Sequence, residues 1–111
     1  RYGGEEFVVG LVECEREEAA EVAERLRATI AATPIAVSGA LIPATVSVGL
    51  VSLDPATASF SALLERADEA MYLAKRGGRN RVVTLMSRPL RVSRSERMPS
   101  AKCATAALDA A

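Results

Sequence analysis

The residues with the most chemical potential stand at the very start of the 111-residue chain: Arg1-Tyr2-Gly3-Gly4-Glu5-Glu6-Phe7. Two glycines permit a tight turn with positive φ, and without side chains they let a phosphate or a base come close to the backbone. Glu5 and Glu6 follow the turn at once and are anchored by the apolar run that Phe7, Val8 and Val9 begin. Hard oxygen ligands beside bare backbone suit a divalent cation held next to a polyphosphate. The same residues would also serve an ordinary Gly-Gly hairpin with two solvated glutamates. Lys75 and Arg79 form a second candidate group. They are four apart at the end of a helix and so lie on one face, where cations neutralise an anion or compensate the helix dipole.

The rest of the composition narrows the chemistry to carboxylates, cations and backbone. There is no histidine, which excludes a Ser-His-Asp triad, a Cys-His dyad and any histidine-containing zinc site. Cys14 and Cys103 are too few and too far apart for a zinc or disulfide framework, and Cys14 lacks the basic neighbours that would activate a thiol. Four aromatic residues and no Trp argue against a base-stacking surface for nucleic acid. No apolar run approaches the length of a membrane span, so the expected compartment is the cytoplasm. The zero net charge is a sum of unlike halves: residues 1–86 carry nine basic and twelve acidic side chains, residues 87–111 five and two.

The elements that must position these groups can be read from periodicity. Phe7 to Val12 has strand length and follows the Gly-Gly turn, as the second strand of a hairpin would. From Arg16 to about Ala32, Ala19, Val22, Ala23, Leu26 and Ile30 trace one helical face, with Glu21 and Arg25 spaced for an i, i+4 pair. Residues 35–43 suggest a short two-stranded excursion around Ser38-Gly39. Thr45 to Leu53 alternates like an interior strand and closes at Asp54-Pro55. Ser59 is the expected N-cap of a helix in which Phe60, Leu63, Leu64, Ala67, Met71 and Ala74 share one face. Gly77-Gly78 stops it, and a strand from Arg81 to Leu85 follows. This order predicts an α/β (α+β) fold, a mainly antiparallel sheet packed by two helices. Residues 87–111, basic and rich in Ser and Ala, show no periodic apolar face and are expected to be a disordered tail or linker.

Gly3-Gly4-Glu5-Glu6-Phe7 resembles the signature of the GGDEF domains, the diguanylate cyclase family, in the variant with Glu third. Val46-Ser47-Val48-Gly49 is similar to a second family motif, and Ala67 through Val82 is similar to the family's closing helix and strand almost position for position. The resemblance covers residues 1 to about 86. It implies condensation of two GTP molecules into cyclic di-GMP and two pyrophosphates, with Mg²⁺ or Mn²⁺ as cofactor and a second copy of the domain facing the first. On this resemblance Glu5 is the metal ligand and proton acceptor, Glu6 helps hold the metal, Gly3 and Gly4 make room for nucleotide, and Lys75 and Arg79 contact phosphate.

Arg25 matches by helix position an arginine that joins an inhibitory product site in some members; a solvated partner for Glu21 is the other reading. Asp68 and Glu69 are accounted for by a solvated helix face. A complete domain of the family also has an earlier acidic strand, two helices that recognise guanine and an inhibitory Arg-x-x-Asp motif, all preceding the Gly-Gly turn. Without them, residues 1–86 would carry open sheet edges, and this polypeptide alone is expected to be poorly stable or self-associating and to make little product. The alternative is a catalytically silent module that binds GTP or cyclic di-GMP, although such modules usually lose one of the signature residues and all four are present here.

Overall fold

The computed structural model describes residues 1–53, 59–86 and 103–110. Its elements are β1 (Glu6–Val12), α1 (Arg16–Ala32), β2 (Ile35–Val37), β3 (Ala40–Ile42), β4 (Val46–Ser52), α2 (Phe60–Arg76), β5 (Val82–Leu85) and β6 (Cys103–Ala110). Four strands form one sheet in the order β1-β6-β4-β5, and β2 and β3 form a separate hairpin. All pairings are antiparallel except β4 with β5, which are parallel and joined through α2. The mixed fold and two packed helices expected from the sequence are present.

The two helices cover opposite faces of β4. Val46, Val48 and Leu50 point to one side and pack with Ala19 and Ala23 of α1, joined by Val9, Leu11 and Val82. Val51 points to the other and packs with Leu63, Ala67 and Met71 of α2. That division follows from the two-residue period of a strand, and because both faces are used, β4 is buried from Val46 to Val51. Burying each of Val48, Leu50 and Val51 contributes about 1.5–3 kcal/mol. α2 approaches so closely that a Cβ on Gly49 would lie 2.2 Å from the Ala67 carbonyl oxygen and 2.3 Å from the Met71 nitrogen.

Local chemistry sets the helix boundaries. The Glu18 carboxylate accepts from the Glu15 N–H at 3.0 Å at the start of α1, and Ser59 Oγ accepts from the Ala62 N–H at 3.1 Å at the start of α2. Between β2 and β3, Ser38 and Gly39 have φ of 48° and 79°, the left-handed pair a two-residue hairpin turn needs. One expectation about the charged faces changes, and on the shared apolar face of α2 burial begins with Leu63, Phe60 being 64% exposed. On α1 the salt bridge closes between Arg27 and Glu24, not between Arg25 and Glu21.

Of the segment expected to be a disordered tail or linker, residues 87–102 and 111 lie outside the described residues, as does the Asp54-Pro55 stop, and Cys103–Ala110 forms a strand in the main sheet. It pairs over seven residues with β1 and over seven with β4. Ala and Asp are poor strand formers, so local propensity opposes this outcome. Backbone ladders on both edges overcome it, because an interior strand satisfies its N–H and C=O groups whatever its side chains.

Gly49→Ala is expected to destabilise the chain by about 1–3 kcal/mol, since the colliding atoms belong to the α2 backbone and cannot swing away. Urea unfolding followed by circular dichroism measures this; an unchanged midpoint would mean that α2 does not sit this close to β4.

Candidate functional site

The signature turn is held by its own backbone. The N–H groups of Tyr2 and Gly3 donate to the Glu6 carbonyl at 2.8 and 3.2 Å, so the chain doubles back just before β1 begins. The Arg1 guanidinium closes the outside of the loop, its Nε donating to the Gly3 and Gly4 carbonyls at 3.1 and 2.8 Å. Neither Gly3 nor Gly4 takes a positive φ; among the described glycines only Gly39 and Gly78 do. What their bareness supplies is space. A Cβ on Gly3 would lie 3.0 Å from Glu6 Oε2, whereas nothing lies within 4 Å of one on Gly4. Glu5 and Gly4 are exposed and Glu6 half-buried, so the backbone at Gly4 and the Glu5 side chain both face solvent.

Glu6 also lines a cleft of about 480 Å³ between the start of β1 and α2. Tyr2, Val8 and Glu6 form one wall, and Leu64, Glu65 and Asp68 the other. Asp68 was read from sequence as a solvated acid; it is exposed, but it shares this cleft with the signature. The signal available in the sequence was spacing, since Ser61, Leu64, Glu65, Asp68 and Met71 recur at intervals of three and four and so form one helical stripe.

The second candidate group has a different geometry from the one its spacing suggests. α2 ends at Arg76, with Gly77 as C-cap. The Gly78 N–H donates to the Lys75 carbonyl at 3.3 Å and the Arg79 N–H to the Ala74 carbonyl at 3.0 Å, the paired bonds of a Schellman stop. Gly78, Arg79 and Asn80 then have φ of 118°, 62° and 45°. Arg79 is therefore not one helical turn above Lys75 on a continuing face; it sits on a left-handed corner beyond the helix. Left-handed backbone is uncommon for arginine and persists only where surrounding bonds fix it. Here those bonds include Arg81 Nε donating to the Arg79 carbonyl at 3.1 Å and Arg27 donating to Asn80 Oδ1 at 2.7 Å. Arg27 and Arg81 are thus positioning residues that sequence reading did not single out.

Strand register places the two groups at the same end of the sheet. Glu6 pairs with Asp109, which pairs on its other side with Ser47, while the next residue of β4, Val48, receives Val82 as partner and donates its N–H to the Arg81 carbonyl at 2.9 Å. The turn and the corner are therefore separated across three strand spacings, roughly 14 Å. Arg25 lies exposed on α1, where its carbonyl accepts from Thr29 Oγ1 at 2.7 Å. Among the described residues no group of three or more His, Cys, Asp or Glu side chains converges in a way that could hold a metal ion.

Cys14, just before α1, is half-buried, and burial first, then the charges of Glu18 and Glu15, raise its pKa above the ordinary thiol value. That agrees with an unactivated thiol.

With a mixed sheet between two helices, and a Gly-Gly turn carrying paired carboxylates at the same sheet end as a cationic corner, the class is that of an α/β domain. The family description "Diguanylate cyclase, GGDEF domain" matches residues 1–81, and the chain belongs to this family. Over 82 residues it is 43% identical to Diguanylate cyclase A of Treponema denticola, covering 74% of this chain and 22% of that protein. It is 45% identical over 82 residues to Diguanylate cyclase DgcP of Pseudomonas aeruginosa (74% and 12%) and 40% identical over 85 to Response regulator PleD of Caulobacter vibrioides (75% and 19%). The chain thus spans less than a quarter of the length of these relatives. No solved structure matches it significantly. No described helix is long and apolar enough to cross a membrane.

Because the thiolate of Cys14 is disfavoured, its alkylation by iodoacetamide at pH 8 should be slower than that of an unstructured cysteine peptide and should climb as pH rises. Glu18→Gln keeps an oxygen for the Glu15 N–H but removes the charge, so it should accelerate the reaction. Peptide mass spectrometry separates Cys14 from Cys103, and equal rates in both variants would remove the electrostatic cause.

Proposed function

We propose that this chain is the portion of a diguanylate cyclase that carries the signature turn and the phosphate-binding corner, and that the intact parent condenses two GTP into cyclic di-GMP with release of two pyrophosphates. The observation that carries this reading is the placement of the Glu5-Glu6 turn and the Lys75–Arg79 corner at one end of the same sheet. A nucleoside triphosphate needs an acidic, cation-binding end and a cationic end, and these lie a molecule's length apart.

Glu5 and Glu6 suit Mg²⁺ or Mn²⁺, because such cations are commonly bound by one or two carboxylates with the remaining positions left to water and phosphate. When bound, the cation would offset phosphate charge and polarise the α-phosphate. Glu5, exposed at the tip, accepts the proton of the attacking 3′-hydroxyl. That hydroxyl oxygen forms a bond to the α-phosphorus of the GTP held by the facing domain, and the bond from that phosphorus to the pyrophosphate oxygen breaks. Lys75 and Arg79 stabilise the charge that grows on the departing pyrophosphate. Gly4 leaves its backbone open, so the nucleotide lies against it without a side chain between. Each domain supplies one half of this exchange, so two copies must face each other. The domain works in the cytoplasm, where GTP is found. By itself the present chain turns over little, since among the described residues only the Glu5-Glu6 pair is placed at the turn to hold the cation.

In the full-length protein, Glu5→Gln should lower kcat at least 100-fold while GTP binding stays measurable by calorimetry. Near-normal synthesis in that variant would show that Glu5 is not the base. Lys75→Ala should raise the apparent KM for GTP and reduce kcat about 10-fold or more, because part of the phosphate charge loses its counterpart. Chromatography of cyclic di-GMP follows both, and unchanged kinetics would return Lys75 to helix-dipole compensation.

A further inference from the structure

The stripe of α1 that packs on β4 is made by Ala19, Ala23 and Ile30, and Arg27 interrupts it. Arg27 lies one helical turn beyond Ala23, and its side chain is only 19% exposed. A cation covered to that extent needs partners, and this one has them on two sides. Its Nε donates to the Glu24 carboxylate at 2.9 and 3.1 Å and its Nη2 donates to the same group, while Nη1 donates to Asn80 Oδ1 at 2.7 Å. We propose that Arg27, held by Glu24, is a positioning residue for phosphate binding at the Arg79 corner, so that α1, in the layer opposite α2, sets the direction from which Arg79 meets a triphosphate.

The shape of the guanidinium makes the link directional. Its donors form a rigid planar fork, so two nitrogens on Glu24 fix the plane and the third then points one way. That way leads to Asn80, whose φ is 45° and which directly follows Arg79 at 62°. Asparagine enters the left-handed region more readily than arginine does. Anchoring Asn80 therefore holds the less favourable Arg79 through the peptide unit the two share. The bond from Arg81 to the Arg79 carbonyl spans two residues and shapes the corner from within, whereas the bond from Arg27 spans 53 and ties the corner to another layer. The hydrogen bond from Arg27 holds the Glu24 carboxyl below the ordinary carboxylate value, so the pair stays charged at neutral pH. The phosphate half of this inference rests on the role proposed above for Arg79; the positioning half rests on the link itself.

Two measurements on the full-length protein test it. Limited trypsin digestion read by peptide mass spectrometry reports the corner, because the bond after Arg79 is cut only when the corner opens. Arg27→Gln should speed that cut about 10-fold or more while the cut after Arg66, inside α2, keeps its rate. Arg27→Lys retains the charge but lacks the fork, so it should behave as Arg27→Gln does. Cyclic di-GMP synthesis reports the phosphate half. Arg27→Gln should lower kcat/KM for GTP about 5-fold or more, but less than about 2-fold in an Arg79→Ala background, where no guanidinium is left to position.

An unchanged cut after Arg79 in Arg27→Gln, normal behaviour of Arg27→Lys, or the same loss of kcat/KM with and without Arg79 would overturn the proposal. If Arg27→Gln speeds the cut after Arg66 as well, Asn80→Gly decides: Asn80 is exposed, and glycine accepts the left-handed backbone while removing the acceptor. That variant should show the same loss of kcat/KM and the same dependence on Arg79, and full activity in it would overturn the link. Normal kcat/KM in Arg79→Ala alone would instead strike the phosphate role of the corner, leaving the digestion to judge the positioning half.

Discussion

The close seating of α2 on Gly49 governs the geometry of the rest. A strand with helices on both faces and neighbours on both edges has no surface left for water, and β4 reaches that condition from Val46 to Val51. Its backbone must then be fully paired, which requires a strand on each side. β5 fills one side in parallel and β6 fills the other antiparallel. Once α2 rests on Gly49, the helix stop at Gly77 and the corner at Gly78 to Asn80 are carried to the end of the sheet where β4 and β5 begin. The cationic corner owes its location to a backbone contact that any side chain at position 49 would obstruct.

The corner itself shows how positive φ at non-glycine residues can be stabilised. Three successive left-handed residues would be costly in isolation. The Schellman bonds to Lys75 and Ala74 carbonyls satisfy the helix end, and the Arg81 guanidinium occupies the space above Gly77 and Gly78, where a Cβ would come within 2.9 and 2.7 Å of its nitrogens. Arg27, paired with Glu24 on α1, reaches Asn80 from the opposite layer. The two layers are thereby linked at the point from which Arg79 projects. Glycine at positions 77 and 78 serves packing against Arg81 as much as it serves backbone freedom.

Much of this was legible in the sequence because it depends on short-range periodicity. The α1 face, the buried alternation of β4, the Ser38-Gly39 turn and the Ser59 cap all follow from spacings within a few residues. The signature and closing motifs were equally readable, since their residue types sit in contiguous stretches. The differences arise where non-local or terminating effects dominate. Lys75 and Arg79 satisfy the i, i+4 rule on paper, but Gly77 ends the helix between them. Phe60 fits the apolar stripe of α2 yet lies at its first residue, three before Leu63 enters the core. Gly3 and Gly4 were expected both to permit positive φ and to leave room; neither takes a positive φ, and the space is taken by the Glu6 carboxylate at Gly3 and is open at Gly4.

β6 is the clearest case of a structure that no local pattern could announce. An Ala-rich segment whose one β-branched residue is Thr105 has little local pattern to declare a strand. Its conformation is imposed by two partners, β1 and β4, that lie about one hundred and about sixty residues earlier in the chain.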